Sequence, residues 1–465
     1  MAMVLTLVRR GDFSSDIESL SLLSFTNGFS VERGGWVQTV AADDEESVIE
    51  AMTLWAKGTS HDNLATNLVA LDKLLAKARL YKETPERYAL WLRAQLTNES
   101  HPREAVVLNA RRGSVPVFSP PASPGNIIKG YPLILERTPL WEGPRVLVSI
   151  QYQENSIGSL GDYAESISTI IGTDPARIIQ LSFNGIGVAL AEYWWGFRTA
   201  RHGTLANFIS PWELELGTAG IDTAVATDIT GSPGGAGNTK FNCTFTTTTA
   251  MATRVTLTPY QISNANYEDL RGTFDLILRA KCGTGVTSQV QLSCGLPGSA
   301  SYWTCDPVMI TGTSWKLYNI GRVTLPTGGK GAYLSDLISS PMRNTTLRIA
   351  AELTAGNAGA DALDLDCLIP IPIDEGYGHL VGTSGYQIHL TISPMGQVST
   401  YEENSSGYIN AIAVANIDPL TCVVPVGANK IICAAQRAAS SVLEDTLYIS
   451  GYIAPRWRIL RGDDA

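Results

Sequence analysis

Five carboxylates gather around one strand-like run: Asp361, Asp364, Asp366, Asp374 and Glu375. Calcium takes several oxygen ligands, so three of these on one face could hold it. The run itself argues for a plainer role. Leu363, Leu365, Cys367, Ile369, Ile371 and Ile373 alternate with Asp364, Asp366, Leu368, Pro370 and Pro372. Period-two alternation places Asp364 and Asp366 on the outward, solvated face of a strand whose other face is apolar, so no metal site is assigned. The five histidines, His61, His101, His202, His379 and His389, are scattered without zinc-ligand spacing. There is no GxSxG nucleophile elbow and no phosphate-binding P-loop motif, and the glycines of GSPGGAGN sit among polar turn residues with no helix behind them. No catalytic residue and no cofactor is expected.

Stacking chemistry is the other candidate, because a sugar ring offers an apolar face to an aromatic ring. Tyr302 and Trp303 follow the turn LPGSAS and form the candidate ligand-binding pair. Trp194 and Trp195 could add to such a platform, but neighbours on a strand face opposite sides, so at least one of them belongs to a core. Trp315, alternating with Leu317, is expected in a core too. The seven cysteines all lie in the second half, odd in number and without a CxxC pair. Cys243 alternates with Phe241 and Phe245, and Cys367 with Leu365 and Ile369, so both should point inward as small hydrophobes. A disulfide framework or zinc site is the alternative.

The elements that must position these residues are mostly strands. A chain of 465 residues is too long for one ordinary core. Hydrophobic residues, at 44%, suffice for well-packed domains, whereas charged residues, at 17%, fall below the roughly 25% of an ordinary soluble protein. The exterior is therefore covered by Ser, Thr, Asn and Gly, or buried against partners. The net charge of −10 carries no Lys/Arg cluster, which argues against nucleic-acid binding. No apolar stretch is long enough to insert in a bilayer, and the opening MAMVLTLVRRGDF is too short in its apolar run for a secretory signal. Synthesis in a cytoplasm is expected, with any exit by another route.

In chain order, residues 1–12, Phe29–Val40, Ser47–Trp55, Glu86–Leu96 and Ala105–Ala110 read as strands. An amphipathic helix is expected over His61–Tyr81, with Leu64, Leu68, Leu71, Leu75 and Ala78 on one face and Ser60 or Asp62 as its cap. Residues 111–126, with four prolines, read as a loop or arm reaching over a neighbour. A strand from Ile127 carries YPLILERTPLWEGP, where Tyr131, Leu133 and Leu135 alternate with Pro132, Ile134 and Glu136. Glu136 and Arg137 are expected as surface or interface charges, and Trp141 marks a domain border. Beyond it come Val146–Tyr152, Ile178–Phe183 and Val188–Arg198, then many short strands from about Ser210, separated by Gly-rich turns. That spacing indicates a sandwich or jelly roll. The prolines closing Leu363–Ile373 indicate an edge strand leaving its sheet. Tyr386–Ile392, Ile409–Ala415, Lys430–Gln436 and Thr446–Ile453 form a last set.

LLAKARLYK, ERYALWLRAQL and YPLILERTPLWEGP together resemble the first domain of siphophage distal tail proteins and related tail-tube folds. VPVGANKII resembles the closing hairpin of the second domain of such proteins. NYEDLRGTFDLILRAKC, SWKLYNIGRVTLP and LDLDCLIPIPI resemble strands of a carbohydrate-binding-module jelly roll, in which Asp366 would lie near a structural calcium. The resemblance implies a mainly all-β chain: a helix-bearing β-sandwich at 1–145, a second β-sandwich from 146–209 with 376–465, and a jelly roll at 210–375. It also implies a structural virion protein of a long-tailed phage or phage-like particle, located in the tail. Its partners would be itself, in a cyclic homo-oligomer such as a hexamer, other tail proteins, and a host-surface glycan. A tail-tube subunit, a capsid decoration protein and a cell-surface carbohydrate-binding protein are the alternatives.

Overall fold

The computed structural model describes residues 3–10, 16–42, 46–80, 90–96, 101–113, 127–154, 164–184, 190–199, 211–227, 239–259, 270–295, 303–325, 345–381, 387–394, 396–404, 407–409, 415–416, 423–437 and 445–460. Most of the expected proline arm, together with Tyr302, His202 and Cys422, lies outside them. Among the described residues there is one α-helix, and the paired strands are antiparallel throughout, so the chain is all-β. No described helix is long and apolar enough to cross a membrane.

The helix runs His61–Leu80. Ser60 Oγ accepts the Asn63 N–H at 3.1 Å and serves as its cap. Leu64, Leu71, Leu74, Leu75 and Ala78 are buried against a first core that includes Leu5, Leu7, Leu54, Leu92, Val107, Leu133 and Leu135. The strand Ile127–Arg137 alternates as expected, burying Tyr131, Leu133 and Leu135. It is paired on both sides, by Val48–Lys57 and by Arg103–Arg112.

Its last residue corrects the expectation of a surface charge. Arg137 is wholly buried and meets the wholly buried Glu50 at 2.6 Å. The pair is satisfied on all sides. Arg137 donates to the carbonyls of Thr138, Pro139 and Thr39, Glu50 accepts Trp36 Nε1–H at 2.8 Å, and the guanidinium lies 4.5 Å from the Trp141 ring centre. A buried ion pair is tolerable only when its remaining donors and acceptors are also used. Glu136, one residue earlier, accepts the Ser47 hydroxyl at 3.0 Å nearer the surface.

The largest sheet joins the two ends of the chain. Its hydrogen-bonded path runs Asp16–Ser21, Met3–Arg10, Leu90–Leu96, Arg103–Arg112, Trp141–Glu142, Asp445–Trp457, Asp174–Asn184, Gln387–Ile392, Val398–Asn404 and Gly407–Ile409. The strand Asp445–Trp457 pairs first with Val146–Glu154 and Asp174–Asn184, then with Trp141–Glu142. Ile449 and Ile453 enter one core, whereas Trp457 enters the N-terminal core beside Trp141. Gly143 leaves room for Trp457, since any Cβ there would overlap its ring.

The remaining sheets stack as layers. A five-stranded sheet contains Leu190–Thr199 and Gly427–Arg437 and is covered on both faces. Tyr193, Trp195 and Phe197 pack with Ile178, Phe183, Ile388 and Ile449, while Trp194, Ile432 and Ala434 pack with the sandwich core. Both tryptophans are therefore core residues, back to back on one strand. Double coverage explains why YWWGF and KIICAA read as continuous apolar runs. Gly196 permits the close approach of the sandwich, because a Cβ there would overlap the Pro372 carbonyl oxygen. The sandwich itself is two six-stranded sheets sharing Phe241, Leu276, Leu292, Ile349 and Leu365.

Trp141 has no exposed surface and bridges Arg137 to Trp457. Trp141→Ala should lower stability by about 3–5 kcal/mol. A denaturant midpoint equal to that of the wild type would refute this bridging role.

Candidate functional site

The strand Leu363–Pro372 sits in the middle of its sheet, between Thr239–Cys243 and Gly272–Cys282, and every residue of it is buried. The expected edge strand is thus corrected. Pro370 and Pro372 pair only with Gly272–Cys282, beyond the reach of the strands on the other side. Their missing N–H groups interrupt no ladder there. The alternation also breaks. Ala280 opposes Leu365 but Leu278 opposes Leu368, a bulge opposite Arg279. One extra residue turns the pattern over. Leu365 and Leu368 therefore share a face, and Ile369, opposite Ile277, looks the other way with Asp364 and Asp366.

That other face is covered, so the expected solvated carboxylates are ion-paired instead. Lys240 Nζ lies 2.5 Å from Asp364, which also accepts Asn242 Nδ2 at 2.9 Å, with Lys281 at 3.6 Å. Arg279 donates to Asp366 at 2.5 Å, and both are essentially unexposed. Trp315, expected in a core, is only half-buried beside this row. Its ring meets Lys281 Nζ at 4.4 Å and Arg279 at 4.5 Å. These cations lie against the ring at cation–π distance.

The five carboxylates do not converge. Asp361 is exposed near Lys240, while Asp374 and Glu375 lie 3.6 and 3.7 Å from the buried Arg198. Among the described residues no cluster of three or more His, Cys, Asp or Glu could hold a metal ion. Arg198 also donates to the Arg271 carbonyl and rests on Phe274, so it ties the exit of the sandwich to the strand Leu190–Thr199. Cys243 points into the sandwich core as expected, whereas the bulge puts Cys367, also buried, on the face opposite Leu365; no disulfide joins two of the six described cysteines. Of the ligand-binding pair, Trp303 is 53% exposed on a short strand beside Cys294, and Tyr302 is outside the described residues.

Two arrangements escaped the sequence. The first is Ser182, His389 and Glu403. Ser182 Oγ lies 2.7 Å from His389 Nδ1, and His389 Nε2 lies 3.4 Å from Glu403. Strand pairing alone joins them, since Ser182 opposes His389 and the next strand supplies Glu403. Ser182 sits mid-strand with neighbours on both sides, His389 and Ser450. Its main chain is engaged in the sheet, so no pair of N–H groups converges there as an oxyanion site would require. The second is Glu213, buried with neither carboxylate oxygen hydrogen-bonded among the described residues. Burial, then the Asp366 and Glu215 carboxylates, push it up to about 10, against the pull of Arg279. Asp366 already satisfies Arg279, which leaves Glu213 protonated at neutral pH.

No protein-family model matches the sequence, and no curated protein matches it significantly. Among solved structures, the chain is similar to the SPP1 Dit protein, described as a paradigm of the hub adsorption apparatus in phages infecting Gram-positive bacteria. The identity is 14% over 43% of this chain and 71% of that one, with a TM-score of 0.22. It is also similar to a chain of the phage P2 baseplate in its activated conformation with Ca, at 6% identity over 97% of this chain and 98% of that one, with a TM-score of 0.27. A third likeness is the tandem CBM22 domain from Paenibacillus barcinonensis Xyn10C, at 10% identity over 55% of this chain and 99% of that one, with a TM-score of 0.23.

Because the folded-state value of Glu213 lies above the ordinary 4.5, its contribution to stability is complete below about pH 4.5 and is lost as pH rises toward about 10. Glu213→Gln should flatten that fall and raise stability at pH 8 by about 1–3 kcal/mol. Chemical denaturation of both proteins at pH 5 and pH 8 checks it; an unchanged pH slope would rule out a protonated Glu213.

Proposed function

We propose that the chain is a structural virion protein of a long-tailed phage or phage-like particle, sited in the tail. In this reading the helix-bearing N-terminal unit builds a cyclic homo-oligomer, six-membered by the resemblance of its sequence to distal tail proteins, and contacts other tail proteins. The sandwich at 210–375 is carried outward and offers Trp303 to a host-surface glycan. Assembly, not catalysis, is the mechanism.

One observation carries the reading. The N-terminal unit exposes Ile49, at 63%, and Ile134, at 42%, on the face turned away from its own core, and Val37, at 78%, just past the strand Phe29–Trp36. Ile49 and Ile134 come from adjacent strands, since Ala51 opposes Ile134 in the ladder. Apolar side chains gathered on one face of a sheet mark an interaction surface. The strand Phe29–Trp36 has Val48–Lys57 as its ladder partner; its outer side is used at Phe29 and Val31 by Phe25 and Leu22, and the stretch beyond Val31 is the part that would accept a neighbouring subunit's strand. Repeated head-to-tail contacts of this kind close into rings when the rotation permits. The exposed Trp303 supports the glycan-binding part, because an accessible indole suits the apolar face of a sugar.

Purified protein should form rings or short stacks in negative-stain micrographs. The double substitution Ile49→Lys with Ile134→Lys should leave a folded monomer in sedimentation. A wild-type monomer at high concentration would overturn the assembly reading. Trp303→Ala should abolish retention on host-glycan affinity gels; undiminished retention would remove Trp303 from the site.

A further inference from the structure

The far part of the large sheet turns three tyrosines outward in a neutral setting. The strands Asp445–Trp457, Asp174–Asn184, Gln387–Ile392 and Val398–Asn404 lie side by side there. Phe183, Ile388, Leu390 and Ile449 fill the core beneath them, so alternation sends the residues in between outward. Ladder partners share a face, and one outward row runs Ser450, Ser182, His389 and Tyr401. Tyr452 lies opposite Gln180 on one side of that row, and Tyr448 opposite Asn184 on the other.

The face is a shallow trough. Ser182 and His389, on the two middle strands, are 5% and 9% exposed, whereas Tyr448, Tyr452 and Tyr401, on the flanking strands, are 40%, 42% and 39% exposed. By strand spacing, Tyr448 and Tyr452 are about 13 Å apart along one flank, and Tyr401 faces them from about 14 Å across the sheet. Hydrogen bonds fix the floor. Gln180 donates to Ser182 Oγ at 3.4 Å, Ser182 Oγ lies 2.7 Å from His389 Nδ1, and His389 Nε2 lies 3.4 Å from Glu403. Among the described residues of these rows there is no Lys or Arg, and Glu403 is the one acidic side chain. At the Tyr452 end the trough enters a cleft of about 570 Å³, lined by Gln180, Tyr452 and Trp91. That volume falls within the roughly 300–1,000 Å³ of small-ligand sites. Arg93 and Arg177 on its wall are already held by Glu104, Asp16 and Glu142, so nothing there singles out a charged ligand.

We propose that this trough binds a glycan, an extended chain of uncharged sugars lying along the strands. Each sugar unit offers its own apolar face, so separated, exposed rings suit it, and tyrosine adds a hydroxyl at the ring's tip. Between the rings, the amides of Gln180 and Gln387 and the hydroxyls of Ser450, Thr391 and Ser399 both donate and accept, as sugar hydroxyls do. A polyanion finds no cation in these rows and meets Glu403. A protein subunit calls for contiguous apolar surface, whereas here Ser, Gln and Asn part the rings. Leu147, 59% exposed opposite Tyr452, widens the apolar flank. The site lies on a different sheet from Trp303, and it holds whether or not the chain assembles into a ring.

Affinity electrophoresis of the full chain tests it, in gels holding dextran, mannan, galactan or xylan, with polygalacturonate as the charged comparator. The chain carries Trp303→Ala throughout, which removes the other proposed sugar contact. At least one neutral polymer should retard it, and adding Tyr401→Ala with Tyr452→Ala should weaken that retardation by roughly tenfold or more. If the tyrosine pair variant does not fold, Tyr401→Ala alone should weaken it by roughly threefold or more. Free passage through every neutral gel, retardation by polygalacturonate alone, or undiminished retardation of a folded tyrosine variant overturns the proposal. A change in oligomeric state on replacing the tyrosines overturns it too, and assigns the face to a neighbouring subunit. A monomer that is still retarded supports this site while sinking the assembly reading.

Discussion

The fold depends on the closing contact between Trp141 and Trp457. These residues are separated by most of the chain, yet they are ladder partners in one sheet and share one core. The strand that ends in Trp457 has already paired with Val146–Glu154 and Asp174–Asn184 before it arrives. One continuous strand thus serves two hydrophobic cores. Arg103 stacks on the outer side of Trp457 at 4.4 Å, and Gly143 N–H donates to the Pro455 carbonyl at 2.9 Å. Because both cores share this element, loss of either should loosen the other, and long-range pairing of this kind carries the loop-closure cost that makes such β-folds slow to form.

A second constraint is where the charges go. The chain is poor in charged residues, and several of the arginines it has are spent inside. Arg137 with Glu50, Arg279 with Asp366, and Arg254 with Asp222 are each nearly or wholly unexposed pairs. Arg254 also donates to the Ile221 and Thr248 carbonyls and covers the Phe245 ring. Each pair joins segments that are distant in sequence. An ion pair in such a place adds little net stability over an apolar pair, but leaving one partner alone is costly, so it penalises wrong pairings. Aliphatic side chains such as Val4, Ile17, Ile49 and Leu147 remain exposed on the surface.

Much of the site chemistry was hidden from one-dimensional reading by the same sheet geometry. Ser182 and His389 are 207 positions apart and meet only because their strands are neighbours. Glu213 reads as an ordinary acid in SPWELEL, and its orphaned burial follows from Trp212–Glu213 pairing with Leu368 and Cys367.

The sequence by itself determined the all-β class, the one helix and its cap, the inward faces of Tyr131, Leu133, Leu135, Cys243 and the buried helix leucines, and most strand positions. These follow from period and local chemistry, which act over a few residues. It also showed that Trp194 and Trp195 face opposite ways. Only the tertiary structure decided that both faces are covered, that a bulge opposite Arg279 turns Leu363–Pro372 over, and that Asp364, Asp366 and Arg137 are interior. Alternation marks an apolar face, but a polar side chain on the opposite face reads the same whether water or a buried counter-charge meets it. What lies opposite is set by strand order and layer stacking, and those are fixed by contacts between segments hundreds of residues apart.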